Sequence, residues 1–237
     1  MKRLYVLLIA TVFFSCSKNK EEITKSVNLN PFKNIEILDA FDVELVEDSA
    51  FKIEIIGAEG AVEKISYSVE DEKLTIEDKR KWKIFNPKQK VRLRLTNPNF
   101  GEFVLHGGCN LTSQNVMKSF HFGAVFLSHG NTVDLELDNN GFYFWNTNKA
   151  GGEITLRGKT DVVKYWYSGL VVINSVNLIS KSGIIETSSD LDANINIEEK
   201  IEYLIKGKGN VILHGNPAII QQSGGEVSDG EGELIIL

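Results

Sequence analysis

The chain has 237 residues and carries 26 lysines and arginines against 32 aspartates and glutamates, a formal net charge of −6. This length is enough for one extended β domain or two small domains. The acidic balance argues against nucleic acid as a partner, because binding to a phosphate backbone depends on an excess of basic side chains. The two cysteines are too few for a disulfide framework, so the fold must depend on its hydrophobic core.

The N-terminal segment has the pattern of an export signal. Lys2 and Arg3 precede an uninterrupted apolar run over residues 4–14, which is too short to cross a hydrocarbon core of about 30 Å. Residues 1–15 are therefore predicted to be a signal peptide. Its removal takes two positive charges away, and the net charge changes from −6 to about −8.

The sequence FFSC at residues 13–16 resembles the lipobox of Bacteroidetes-type lipoproteins. The resemblance implies cleavage before Cys16 and acylation of that cysteine, and acyl chains contribute about 0.8 kcal/mol of membrane binding per buried methylene. The alternative is an ordinary signal peptide followed by a chance cysteine. Residues 16–27 are predicted to form a flexible tether. Their lysines and acidic residues resemble the export tag of surface lipoproteins, so an outer membrane lipoprotein on either the surface or the periplasmic face is expected.

Residues 28–100 alternate apolar and polar side chains, as half-buried β-strands do. The polar residues 70–73, between two such runs, predict a hairpin turn. A basic cluster between residues 79 and 94 is interpreted as a solvated hairpin tip, with acidic lipids, anionic glycans or nucleic acid as alternatives, and export argues against nucleic acid. Ser49, between Asp48 and Ala50, resembles a Bacteroidetes O-glycosylation site, which predicts an exposed loop there.

Residues 101–237 repeat one pattern, in which a glycine step separates two strand-like runs. Gly108, Gly130 and Gly152 are separated by two equal spacings of 22 residues, which fits one coil of a β-helix, roughly 20–30 residues. Glycine suits the corners of coils because it reaches positive φ without strain. We predict an all-β chain, with a β-solenoid over 101–237 preceded by hairpin or meander strands over 28–100. A β-sandwich with glycine-rich turns is the alternative.

Several of these segments resemble the head GIN domain family, a group labelled as auto-transporter adhesins. The resemblance is carried by the opening runs FKNIEI, FDVEL and FKIEIIG, and by the closing phrases KGKGNV and HGNP, at residues 32–37, 41–45, 51–57, 206–211 and 214–217. It implies a right-handed parallel β-helix-like protein that is lipid-anchored or secreted, and it covers residues 30 to 230. It transfers no catalytic or binding residue.

Aromatic residues concentrate over residues 142–145 and 165–167. Because successive side chains of a strand point to opposite faces, one set must face the interior and the other outward. Outward rings on a rigid ladder can stack on sugar rings, whereas rings covered on both faces would only fill the core. The candidate binding residues are Tyr143, Trp145, Tyr165, Trp166 and Tyr167.

Other polar patterns predict no metal site, no cofactor and no catalytic centre. The histidines that precede glycine, His106, His129 and His214, do not align between coils and are expected to hydrogen-bond backbone groups. Asp190 and Asp192 form a carboxylate pair without a base beside them in the sequence.

We therefore expect a lipid-anchored cell-envelope protein without catalysis that binds a glycan or a partner protein. A structural protein that acts by self-association is the alternative, and a degenerate polysaccharide-acting enzyme is a weaker one. The sequence does not predict an oligomeric state.

Overall fold

The computed structural model describes residues 22–80, 90–224 and 231–237. The predicted signal peptide and Cys16 lie outside this range. The described residues form 17 strands and one short helical turn, α1 (Glu59–Val62). No helix among them is long and apolar enough to span a bilayer.

The order of the strands along the chain differs from their order in space. In chain order they are β1 (Glu22–Asn28), β2 (Asn34–Ile37), β3 (Asp42–Glu47), β4 (Lys52–Ala58), β5 (Ile65–Glu70), β6 (Lys73–Asp78), β7 (Arg92–Asn97), β8 (Glu102–Leu105), β9 (Asn110–Ser113), β10 (His121–Phe126), β11 (His129–Asn146), β12 (Gly151–Gly169), β13 (Val171–Ser189), β14 (Ala193–Ile205), β15 (Val211–His214), β16 (Ile219–Gln222) and β17 (Leu234–Ile236).

The chain forms a β-solenoid of about six turns, preceded by N-terminal strands, as the glycine pattern predicts. Each coil contributes one strand to each of two parallel ladders, and the long strands β11 to β14 cross from one ladder to the other. Face A is the ladder β6-β2-β8-β10-β11-β12-β13-β14-β16. Face B is the ladder β7-β3-β9-β11-β12-β13-β14-β15-β17.

The N-terminal strands continue the solenoid rather than forming a separate layer. β2 and β3 make a coil on which β8 and β9 stack directly, although β4 to β7 lie between them in the chain. β6 and β7 stack on the opposite side of the same coil. The predicted boundary near residue 100 therefore separates two parts of one continuous stack.

Antiparallel strands close the N-terminal end of this stack. β4 pairs antiparallel with β7, and β1 pairs antiparallel with β4. β5 and β6 form the predicted hairpin, whose Asp71 and Glu72 have φ of 49° and 58°, as a two-residue turn of type I′ requires. The prediction of a flexible tether over residues 16–27 is wrong for residues 22–27. Each of these residues belongs to β1 and pairs with β4.

One hydrophobic core runs through the coils. Its face A side contains a column of rings from Phe103, Phe122 and Phe142, whose centroids are 5.7 and 5.5 Å apart in edge-on arrangements. Tilted and edge-on contacts are the geometry that aromatic pairs prefer. Stacking of coils thus buries side chains that a single coil would leave exposed, which explains the stability of the fold without disulfides.

Glycine is required at these positions for two different reasons. Gly130 and Gly169 have φ of 78° and 68°, so they occupy corners where other residues are strained. Gly152 is needed for close approach instead, because a Cβ atom there would collide with the carbonyl oxygen of Asn131 on the neighbouring coil.

Candidate functional site

The outer surface of face A carries two tryptophans on neighbouring coils. Alternation along β11 buries Phe142 and Phe144 and turns Trp145 outward, as predicted. Trp145 is in register with Trp166 of β12, and adjacent strands lie about 4.8 Å apart. Each indole is 38% exposed, so both rings offer surface to a ligand while the rest of each ring packs on the ladder.

Tyr143 lies beside the two tryptophans and is held more firmly. Its ring covers Gly123 of β10, where a Cβ atom would lie 2.6 Å from three ring atoms. Its hydroxyl donates a hydrogen bond of 3.0 Å to Glu102 Oε2. Burial raises the pKa of Tyr143 above its usual value, and the charge of Glu102 raises it further. This tyrosine therefore remains neutral and presents a fixed ring edge.

Tyr165 does not belong to this surface, and Tyr167 only borders it. They are 0% and 4% exposed and point into the core, because Trp166 between them takes the outward position of the strand. Tyr165 is fully covered, so the prediction that it contacts a ligand is wrong, whereas Tyr167 contributes to the lining of a groove beside Trp166 and its contact with a ligand stays a prediction. Neither hydroxyl forms a hydrogen bond with a described residue. Burial raises the pKa of Tyr167 to about 12, and the hydroxyl of Thr187 lies close enough to oppose this shift in part without meeting hydrogen-bond geometry.

A shallow groove of about 250 Å³ begins at Trp166 and continues toward the corner of the coils. Lys206 Nζ and Glu186 Oε1 form an ion pair of 2.7 Å across it. The Ser168 hydroxyl donates to Asn148 Oδ1 at 2.9 Å. Charged and uncharged hydrogen-bonding groups therefore lie beside an aromatic ring. The groove is lined by Asn146, Asn148, Trp166, Tyr167, Ser168, Glu186, Thr187, Ser188 and Lys206.

The floor of this groove is fixed by Asn146. Its side-chain amide donates to the carbonyl oxygens of Ala150 and Ser168, each at 2.9 Å, and its Oδ1 accepts from the Ser168 N–H at 2.9 Å. The amide thus joins two neighbouring coils. A buried side chain with all these bonds satisfied makes the groove a rigid feature rather than a gap between mobile loops.

A second depression, about 320 Å³, lies on the other side of Tyr143. His121 and Lys164 contribute its polar groups. The exposed ring of Phe120 packs edge-on against His121 with centroids 4.4 Å apart. We call the surface formed by Tyr143, Trp145 and Trp166 with these two depressions the aromatic face.

The other predicted positions lie away from the aromatic face. Ser49 is exposed after β3, where its hydroxyl is within 3.2 Å of Asp48 Oδ1; modification there stays a prediction. Cys109 is fully buried, and burial raises the pKa of its thiol to about 11. Such a thiol is unreactive in the folded protein.

Histidines and carboxylates form no metal centre in the described part of the chain, where no group of three or more potential ligands occurs. His106 contacts a side chain rather than the predicted backbone group, since its Nε2 lies 2.9 Å from Glu36 Oε1. Asp134 pairs with Arg157, and Asp138 with Lys159. The outward carboxylates are therefore balanced by the next coil.

The described part of the basic cluster is neutralised by ion pairs. Arg92 binds Glu22 at 2.8 Å, Arg94 binds Glu44 at 2.9 Å, and Lys90 binds Asp42. Residues 81–89 lie outside the described range. These pairs hold β1, β7 and β3 together on the outer surface of face B, so their role in the described structure is to join strands.

Known proteins share both the fold and the sequence pattern of this chain. A family model described as "Putative auto-transporter adhesin, head GIN domain" matches residues 31–217. The chain belongs to this family. No curated protein matches it.

Solved structures of similar shape support the same fold for this head GIN domain protein. A "putative adhesin" from Bacteroides fragilis is 18% identical, with a TM-score of 0.77, and the match covers 92% of this chain and 98% of that chain. A "putative adhesin" from Parabacteroides distasonis is 14% identical, with a TM-score of 0.63 over the same shares. A "putative lipid binding protein" from P. distasonis is 13% identical, with a TM-score of 0.59, again over 92% and 98%. At these identities the similarity establishes the fold.

Sequence reasoning missed the polar half of the aromatic face. Asn148, Ser168, Glu186 and Lys206 come from different coils, and their spacings along the chain carry no signal until the register is known. The glycine steps do not supply this register, because their spacing of 22 would place Trp166 opposite Ser188, whereas it lies opposite Glu186.

Proposed function

We propose that this head GIN domain protein is a lipid-anchored, non-enzymatic envelope protein that binds a carbohydrate through the aromatic face. The observation that supports this most directly is the pair of half-exposed indoles in register, Trp145 and Trp166, beside a polar groove. Sugars present both C–H surfaces, which pack on aromatic rings, and hydroxyls, which need donors and acceptors. The amphipathic character of tryptophan suits such a partly wet surface.

The residues around the groove favour binding over catalysis. Asp190 and Asp192, the carboxylate pair that an enzyme would use, are exposed at a corner of the coils and do not line this groove. The Asp192 carboxylate instead accepts the backbone N–H of Asn210 at 2.7 Å. An adhesin-type family is consistent with a binding role.

A glycan array tests the carbohydrate proposal. We expect Trp145→Ala and Trp166→Ala each to weaken binding by about tenfold or more, as truncation of a central aromatic residue does at many interfaces. Leu170→Ala is the matched control, because Leu170 is 62% exposed and outside the aromatic face. Unchanged binding by both tryptophan variants would contradict the proposal that the aromatic face binds carbohydrate.

The membrane anchor is proposed separately, from the resemblance at residues 13–16. The family and its similar structures indicate a protein of the cell envelope or surface, and acylation at Cys16 would attach it there. We expect Cys16→Ser to move the protein from the membrane fraction to the soluble fraction and to abolish incorporation of labelled palmitate. Persistence of the label in Cys16→Ser would contradict the anchor, and protease treatment of intact cells would separate the surface from the periplasmic face.

A further inference from the structure

The depression on the far side of Tyr143 offers polar side chains of one kind to a ligand. The Tyr143 hydroxyl already donates its hydrogen to Glu102 Oε2 at 3.0 Å. The polar side chains that remain are the His121 ring and the Lys164 ammonium, and both can donate hydrogen bonds. The depression has a volume of about 320 Å³ and is lined by His121, Gly141, Phe142, Tyr143, Val162 and Lys164.

Three neighbouring strands of face A bring the two basic groups to one depression. His121 of β10 is in register with Gly141 of β11, and Tyr143 of β11 is in register with Lys164 of β12. The absence of a side chain at position 141 leaves room for the depression, because a Cβ atom there would lie 2.5 Å from His121 Nδ1. A larger residue would therefore displace the imidazole and fill the space between the two basic groups.

The two basic groups have no counter-charge within the described part of the chain. Neither His121 nor Lys164 forms a side-chain hydrogen bond or an ion pair there. Lys159 and Lys181, which also point outward, each bind a carboxylate instead. The carboxylates near the depression are occupied by other partners, and these pairs are Glu102 with Tyr143, Asp161 with Lys181 and Glu186 with Lys206. A ligand must therefore supply the negative charge at this position.

Lys164 is also next to the tryptophan pair. It precedes Trp166 by two residues on the same outer side of β12, a distance of about 7 Å along the strand. A sugar ring packed on Trp166 would therefore place its substituents, or the next sugar unit, beside Lys164. The formal net charge of −6 repels anions at long range, so any preference for an acidic ligand must come from local contacts such as this one.

We propose that the carbohydrate bound by the aromatic face is acidic, and that the depression holds its carboxylate or sulfate group. This inference rests on the proposed carbohydrate function. Lys164 donates a charge-assisted hydrogen bond to the anionic group, and His121 donates a second hydrogen bond. Val162 and the exposed ring of Phe120, which packs against His121, supply apolar surface for the same sugar unit.

A glycan array of matched acidic and neutral pairs tests this inference. The pairs are oligogalacturonates with their methyl esters, and sulfated galactan oligosaccharides with their desulfated forms. We expect the full chain, with Cys16→Ser to prevent acylation, to bind an acidic member about tenfold or more tightly than its neutral partner. Lys164→Gln should weaken binding of the acidic member by about five- to tenfold and leave the neutral member unchanged, whereas Lys164→Arg should keep the preference.

Two further variants serve as controls. Lys200→Gln removes an exposed lysine from the same outer surface, two strands beyond Val162 and outside both depressions, and it should change neither affinity. Trp166→Ala should weaken acidic and neutral members by the same factor, because the ring contacts the sugar rather than its charge. Unchanged binding of the neutral member by Lys164→Gln also shows that this variant is folded.

The outcomes separate this inference from the proposed function. Equal binding of acidic and neutral members would overturn the acidic ligand and leave carbohydrate binding intact. Equal losses in Lys164→Gln and Lys200→Gln would overturn the site, since the attraction would then be non-specific. Binding of no member would contradict carbohydrate binding itself. Lys164-dependent binding to vesicles of phosphatidylglycerol and phosphatidylcholine, without binding to any glycan, would overturn the inference in favour of a lipid headgroup.

Discussion

Replacing Gly123 by alanine tests how the aromatic face is held. The new methyl group would lie 2.6 Å from Cγ, Cδ2 and Cε2 of Tyr143, well inside the optimum carbon separation of about 3.5–4.0 Å. The ring must therefore leave Gly123. It would lose its hydrogen bond to Glu102 and the contact that half-buries it.

The cost follows from these two losses. Displacing half of an aromatic ring exposes about 100 Å² of apolar area, or roughly 2–3 kcal/mol, and the hydrogen bond contributes about 1 kcal/mol. Alanine offsets about 0.5–1 kcal/mol of this, because it is less flexible than glycine in the unfolded chain. We expect Gly123→Ala to destabilise the protein by about 2–3 kcal/mol.

A double-mutant cycle in urea, followed by tryptophan fluorescence, isolates this effect. In a Tyr143→Ala background no ring remains to be displaced, so Gly123→Ala should be neutral or slightly stabilising. An equal destabilisation by Gly123→Ala in both backgrounds would refute the reasoning, since the cost would then come from the backbone of β10.

Three further outcomes follow from the buried and ion-paired groups. Hydrogen bonding to Lys73, with a smaller contribution from His106, lowers the pKa of Glu36. The contribution of this carboxylate to stability is present at neutral pH and is lost as the pH falls through its pKa in the folded protein. Glu36→Gln should therefore cost about 0.2–1 kcal/mol at pH 7 and progressively less at acidic pH in urea titrations. Tyr165→Phe should be neutral or stabilising by up to about 1 kcal/mol in thermal unfolding, because its buried hydroxyl meets hydrogen-bond geometry with no described residue. A clear loss of stability would contradict this and indicate a hydrogen bond to the nearby Ser175 hydroxyl. The Cys109 thiol should resist alkylation below its pKa of about 11 until the protein unfolds, and rapid labelling of native protein would contradict its burial.

Local periodicity was sufficient to predict the class of fold and the orientation of the aromatic strands. Alternation placed Phe142 and Phe144 inside and Trp145 outside because the side-chain period of a strand is fixed by its backbone. The same rule separates Trp166 from Tyr165 and Tyr167. It does not say which of these two sets faces the core, so the sequence left all three as candidates.

Long-range pairing was not predictable from the same patterns. β1 follows a charged segment and has the composition of a tether, yet it pairs with β4 along its whole length because β4 has an open edge that needs covering. Likewise, β8 and β9 stack on β2 and β3 across the intervening strands β4 to β7. Such contacts are determined by which strand edges remain free once neighbouring strands have paired, and a local window does not contain that information.

The position of β1 in the stack has a geometric consequence for the proposed anchor. Glu22, which follows Cys16 closely in the chain, begins the strand at the closed end, whereas β17 lies ten strand spacings away, roughly 48 Å along the stack at about 4.8 Å per layer. Acylation at Cys16, as proposed, would hold the closed end of this stack at the membrane. The coils that carry Trp145 and Trp166 would then stand several layers above the membrane surface, where a carbohydrate outside the membrane reaches them without contact with the lipid.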